Sequence, residues 1–238
     1  METWNGFEKI DFIFEGRKAS LVIPEKEERT SKWLFKMEYR DAFPGLEIEM
    51  LKRGWNVAFI ENKTRWCLEE DLDLKKRFTD FLVREYELER KCVPVGMSCG
   101  GMFAVKFAAK YPECVEALYL DAPVLNLLSC PGDMGIGQSG MWEEFQNATG
   151  MSKSEFICYR EHPMDYFPVL GSHEIPVVLV YGKEDEIVPY CENGELLEKY
   201  YKANQIKLLA IGKDGCGHHP HGLEEPGEVA DFVENLFC

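Results

Sequence analysis

A chain of 238 residues is long enough to bury a substantial core without disulfides or metal, and its length suits one α/β domain. Its 45% apolar and 13% aromatic content argues against disorder, and no apolar stretch approaches the roughly 20 residues needed to cross a bilayer. A formal net charge of −15 argues against nucleic acid and anionic membrane surfaces as partners, because phosphates are bound through clustered Lys and Arg.

Residues 1–8 are acidic and polar where a secretory signal needs a basic start and an apolar centre, so no export is expected. Nine cysteines, an odd number without a repeating spacing, read as free thiols in a reducing compartment, which points to the cytoplasm. The acceptor patterns at Asn62 and Asn147 then carry no glycan.

In chain order, residues 7–23 alternate apolar and polar on both sides of Glu15-Gly16-Arg17, the pattern of an antiparallel hairpin at a sheet edge. A strand is expected over 33–39, a helix within 41–53 after a Pro-Gly step, and a strand over 55–61. Leu74, Phe78, Phe81, Leu82 and Tyr86 recur at helical spacing. A short apolar run over 92–95 leads into a small-residue helix over 101–109. Pro94 sits awkwardly there because it removes a ladder donor, unless it lies at a strand start or a bulge. Further strands are expected over 115–120, 176–181 and 206–211, with helices over 194–202 and 227–237. Strand and helix alternate throughout, which implies a mostly parallel central sheet flanked by helices, with functional groups at the carboxyl ends of its strands.

The alternation stops between Asp121 and Pro176, where Pro, Gly, Met and aromatics surround one helix starting near Met141. Residues 122–175 are too long for a connector and too short for a domain, which suits a small lid. Met134, Ile136, Met141, Trp142 and Phe145 either line a pocket for an acyl or ring group or pack this segment onto the body.

Gly96-Met97-Ser98-Cys99-Gly100 joins the 92–95 run to its helix and has the G-x-S-x-G form of a nucleophile elbow, a turn sharp enough that glycine is needed on both flanks. Asp185 follows the 176–181 run in Gly182-Lys183-Glu184-Asp185, and His218 follows the 206–211 run in Gly215-Cys216-Gly217-His218. The order Ser98, Asp185, His218, each just past a strand, is that of nucleophile, acid and base in α/β-hydrolases. On these residues the chain resembles the α/β-hydrolases, in the broad serine-esterase and prolyl-oligopeptidase-like group, from the strand near Trp33 to the last helix.

That resemblance implies that Ser98 is the nucleophile, His218 the base and Asp185 the residue that orients it. His219 competes as base and Asp121, at the end of the 115–120 strand, competes as acid. An oxyanion hole needs two backbone donors. Cys99 supplies one, and position assigns the other to Arg40 or Asp41, in a loop that lacks the glycine-rich motif common there. Cys99 itself reads as a small spacer beside the central serine. Cys216, His218, His219 and His221 crowd one stretch, but their spacing matches no zinc pattern, so no metal is expected. The letters of a dinucleotide fingerprint over 135–140 do not join a strand to a helix and carry no cofactor.

The expectation is a cofactor-free serine hydrolase acting on a small or medium ester, including acyl esters of carbohydrates. The alternatives are a peptidase, although the chain leaves no room for a propeller domain, or a hydrolase-fold binding protein without turnover.

Overall fold

The computed structural model of the protein describes residues 2–25, 27 and 29–237. A three-residue strand β1 (Glu2–Trp4) precedes the expected hairpin of β2 (Phe7–Phe14) and β3 (Arg17–Ile23). Its two turn residues, Glu15 at φ 46° and Gly16 at φ 82°, both lie in the left-handed region, whose backbone twist matches that of the flanking strands. Strand β4 (Trp33–Lys36) stops earlier than its apolar pattern suggests. Met37 still donates to the Val95 carbonyl, but at Tyr39 φ turns to 54° and the chain leaves the sheet.

Next come α1 (Gly45–Lys52), β5 (Asn56–Ile60) and α2 (Glu69–Glu85), whose first turn carries Glu69, Glu70 and Asp71 against the positive end of the helix. Strand β6 (Val93–Met97) leads through the elbow to α3 (Gly100–Lys110), and β7 (Leu118–Asp121) follows. Residues 122–175 hold α4 (Trp142–Thr149), α5 (Lys153–Cys158) and α6 (Phe167–Ser172). The chain then runs through β8 (Val177–Gly182), α7 (Gly194–Ala203), β9 (Leu208–Lys213) and α8 (Gly227–Glu234).

The nine strands form one sheet in the order β1-β2-β3-β5-β4-β6-β7-β8-β9. Strands β1, β2 and β3 are antiparallel, β3 is antiparallel to β5, and every pairing from β5 to β9 is parallel. Alternate residues of the central strands face opposite layers, as a two-residue period requires. Trp33, Phe35, Val177 and Leu179 pack with α2, α3, α6 and α7, whereas Leu34, Val178 and Val180 pack with α1 and α8.

A bulge accommodates Pro94. The bridge Cys92–Val115 and the pair Val95–Tyr119 enclose one more residue on the Val115 side than on the Cys92 side, so the ladder is broken opposite the missing donor. Eight of the nine cysteines are free thiols, and Cys238 lies outside the described residues. Among the described residues no helix is long and apolar enough to cross a membrane.

One buried ion pair holds the loop after β4. On the face of the sheet that α1 covers, Lys36 meets the Glu47 carboxylate on α1, the Ala42 carbonyl at 3.1 Å and the Met97 sulfur at 3.3 Å, with both charged side chains 1% exposed. Removing one partner strands the other charge in the core. Lys36→Met is therefore expected to destabilise the fold by about 3–5 kcal/mol in urea denaturation, and Lys36→Met with Glu47→Leu to recover most of that loss.

Candidate active site

The chain turns from β6 into α3 through Ser98, whose φ of 49° lies in the left-handed region that non-glycine residues avoid. The conformation is over-determined. The Ser98 N–H donates to the Asp121 carbonyl at 2.9 Å, and its own carbonyl accepts from Gly101 at 2.9 Å and from Val124 at 3.0 Å. A Cβ at Gly96 would lie 2.6 Å from the Gly100 carbonyl oxygen, so the first flanking glycine is obligatory. The second, Gly100, is less constrained, since a Cβ there would meet the Glu38 Cβ at 3.3 Å. Gly101, which the motif does not include, is tighter than either, with a Cβ placed 2.4 Å from Pro123.

The three sequence-predicted side chains meet. His218 Nε2 lies 3.0 Å from Ser98 Oγ, and His218 Nδ1 lies 2.7 Å from Asp185 Oδ2. All three residues are at least nine-tenths buried. The other Asp185 oxygen accepts from the backbone N–H groups of Ile187 at 2.9 Å and Val188 at 2.8 Å, which fixes the carboxylate plane. An ionised carboxylate can only accept, so His218 carries its proton on Nδ1 and turns the Nε2 lone pair to the serine.

The rivals fall elsewhere. Asp121 is fully buried and binds His221 Nδ1 at 2.9 Å, the Gly222 N–H and the Tyr119 hydroxyl at 3.3 Å, while Asp185 serves His218. His219 is exposed and stacks on Phe43 with ring centroids 5.7 Å apart. Burial and the neighbouring imidazoles push its pKa below the ordinary histidine value. The second pair, His221 with Asp121, escaped the sequence reading. Its signals were present as a third histidine and an acid at a strand end, but nothing in the order of residues joined them.

Of the two expected oxyanion donors, Cys99 is buried at the start of α3, and its N–H has no partner among the described residues. Burial pushes its thiol up to about 11, which keeps it protonated and unreactive. Arg40 turns its guanidinium outward to Asp41 at 3.2 Å and over the Phe59 ring at 5.9 Å. The neighbouring Tyr39 N–H donates to its own chain's Glu38 carboxylate at 3.2 Å.

Residues 122–175 lie over α3 and are held to the body by Asn193, which accepts from the Leu125 and Asn126 N–H groups at 3.0 Å, while within the segment His162 Nδ1 accepts from the Leu127 N–H at 3.0 Å. Arg65 clasps Glu144 of α4, and the Trp66 indole donates to the same carboxylate at 3.0 Å. The five apolar residues expected here split. Phe145 is buried against Trp66 and Phe156, Met141 and Trp142 are partly buried against the core, and Met134 and Ile136 stand 48% and 66% exposed. A cavity of about 210 Å³ lies beneath this segment, lined in part by Trp66, Met102, Leu127, Phe145 and Tyr159.

No family model matches the chain, and no curated protein does. Solved structures do. Est1E from Butyrivibrio proteoclasticus superposes with a TM-score of 0.67 at 15% identity, covering 96% of this chain and 98% of its own. MGS-MChE2, an α/β-hydrolase enzyme from the metagenome of lagoon sediments at Mar Chica, Morocco, gives 0.57 at 18% identity, covering 92% and 94%. Acylaminoacyl peptidase of Pyrococcus horikoshii gives 0.67 at 14% identity, covering 89% of this chain and 37% of its own. The chain spans between 35% and 38% of the length of several larger matched chains. With the sheet order and the elbow described above, these likenesses define the fold as that of the α/β-hydrolases.

The strain at Ser98 has a measurable cost. A left-handed non-glycine residue costs about 1–2 kcal/mol, so Ser98→Gly is expected to be more stable than Ser98→Ala by about 1 kcal/mol in urea denaturation, although both lose the same hydroxyl.

Proposed function

We propose that this chain is a serine hydrolase that cleaves esters through an acyl-enzyme, with Ser98 as nucleophile, His218 as base and Asp185 as the group that orients the imidazole. The continuous hydrogen-bonded path from Ser98 Oγ through both nitrogens of His218 to Asp185, at 3.0 and 2.7 Å, carries the reading. As Ser98 attacks the carbonyl carbon, its proton passes to His218 Nε2, and the imidazolium is stabilised by Asp185, which stays ionised. The negative oxygen of the tetrahedral intermediate is received by the Cys99 N–H and by a second N–H from the loop after β4, which we assign to Arg40. Collapse expels the alcohol with the proton from His218. Water then attacks the acyl group with the same histidine as base, which restores the serine.

Residues 122–175 act as a small lid in this reading, tied to the body by the Arg65–Glu144 pair. The cavity beneath it reaches Met102, one helical turn beyond Ser98, and its size suits a short acyl chain or a single ring. A small or medium ester follows, acyl esters of carbohydrates included. Free thiols, several of them fully buried, support work in a reducing compartment such as the cytoplasm. Peptide cleavage is the second reading, favoured by the peptidases among the structures that share the fold.

A series of p-nitrophenyl esters set against aminoacyl p-nitroanilides separates the two. Sustained turnover of the esters, abolished in Ser98→Ala, is expected, with Asp185→Asn lowering kcat by about 10⁴-fold through the wrong tautomer. Asp121→Asn is expected to lose far less. A single stoichiometric burst without turnover would make the chain a binding protein instead.

A further inference from the structure

Three imidazoles converge beside Ser98, and only one of them has a part in the proposed hydrolysis. One nitrogen each from His218, His219 and His221 lies within 4.8 Å of the others, and the three rings stand edge to face at 4.9 Å between centroids. Two of the three are prepared in a particular way. Asp185 holds Nδ1 of His218, and Asp121, itself fully buried, holds Nδ1 of His221. A carboxylate on one imidazole nitrogen fixes the tautomer, raises the basicity of the other nitrogen and aims its lone pair, which is the arrangement found behind histidines that ligate metal ions. Nε2 of His221 has no hydrogen-bond partner among the described residues, and Nε2 of His218 is shared only with Ser98 Oγ. The two carboxylates also place two negative charges beside the cluster, which matches the charge of a divalent cation.

We infer that His218, His219 and His221 form a site for a divalent zinc-type cation, and that binding there switches hydrolysis off by engaging the imidazole that must take the serine proton. The ligand set selects the ion. Imidazole suits zinc and its transition-metal neighbours, whereas magnesium and calcium require oxygen ligands. Zinc held by nitrogens at roughly 2.0–2.1 Å sets the ligand atoms about 3.4 Å apart, so the present spread must close by about an ångström and a half. The His219 side chain is exposed and makes no hydrogen bond among the described residues, so its rotation supplies most of that closure. Once bound, the cation occupies the Nε2 lone pair of His218 in place of the Ser98 hydroxyl, a water completes the tetrahedron, and the Ser98–His218 hydrogen bond is lost while no covalent bond in the protein is made or broken. The metal site stands on geometry alone, whereas the inhibitory effect rests on the proposed roles of Ser98 and His218.

Two measurements test the parts separately. Equilibrium dialysis of the Ser98→Ala chain against zinc chloride is expected to show one ion per chain, weakened more than about tenfold in His219→Asn and in His221→Asn, with magnesium not retained. Wild-type hydrolysis of p-nitrophenyl acetate is expected to stop on saturation with zinc and to return with EDTA. His219→Asn, measured against its own metal-free rate, is expected to need more than about ten times as much zinc for the same fractional loss. Absence of saturable binding, or binding indifferent to both histidine variants because thiols hold the ion, overturns the site. Histidine-dependent binding without loss of turnover overturns the inhibition. A wild-type chain inactive without metal counts against the functional reading alone, since the dialysis still decides the site.

Discussion

The close approach of the loops that leave β8 and β9 is the constraint on which the site depends. Gly182 ends β8, and a Cβ at that position would lie 2.1 Å from the Gly217 carbonyl oxygen and 2.4 Å from that of Cys216. Only a bare backbone lets the two loops touch, and a hydrogen bond from the Glu184 N–H to the Cys216 carbonyl at 3.0 Å fastens them. Asp185 and His218 lie immediately beyond this contact, which is why a carboxylate and an imidazole 33 residues apart come within 2.7 Å.

The elbow supplies the third group by a different means. Where the β8 and β9 loops are packed by the absence of a side chain, Ser98 is held in an unfavourable backbone region by three backbone hydrogen bonds. Strain of this kind persists only where the surroundings over-determine it. It projects the hydroxyl away from the sheet, toward a base already oriented by its acid. Lys36 plays a quieter part, since its buried pairing with Glu47 ties α1 and the loop that follows β4 to the central strands.

Two imidazole–carboxylate pairs therefore stand side by side, each made by an acid at or just beyond the end of one parallel strand and a histidine in the loop after β9. Both acids are buried, and their oxygens are satisfied by backbone N–H groups as well as by a ring nitrogen. The serine distinguishes them, because it reaches His218 while His221 turns to Asp121.

The local order of residues was enough for the alternation of strands and helices, the hairpin turn at Glu15-Gly16, the elbow, and the placement of Asp185 and His218 past strand ends, because each is written in a few neighbouring positions. Element ends were less legible. Strand β4 stops at Lys36 because the backbone turns at Tyr39, and β7 carries a bulge because Pro94 lies opposite it, and neither cause is visible in the apolar pattern. Which acid serves which histidine, that His219 faces solvent while His221 is buried, and that Gly101 is tighter than Gly100 were decided only by the tertiary structure. These depend on distances between segments far apart in the chain, and such distances are set by packing across the sheet rather than by the spacing of residues along it.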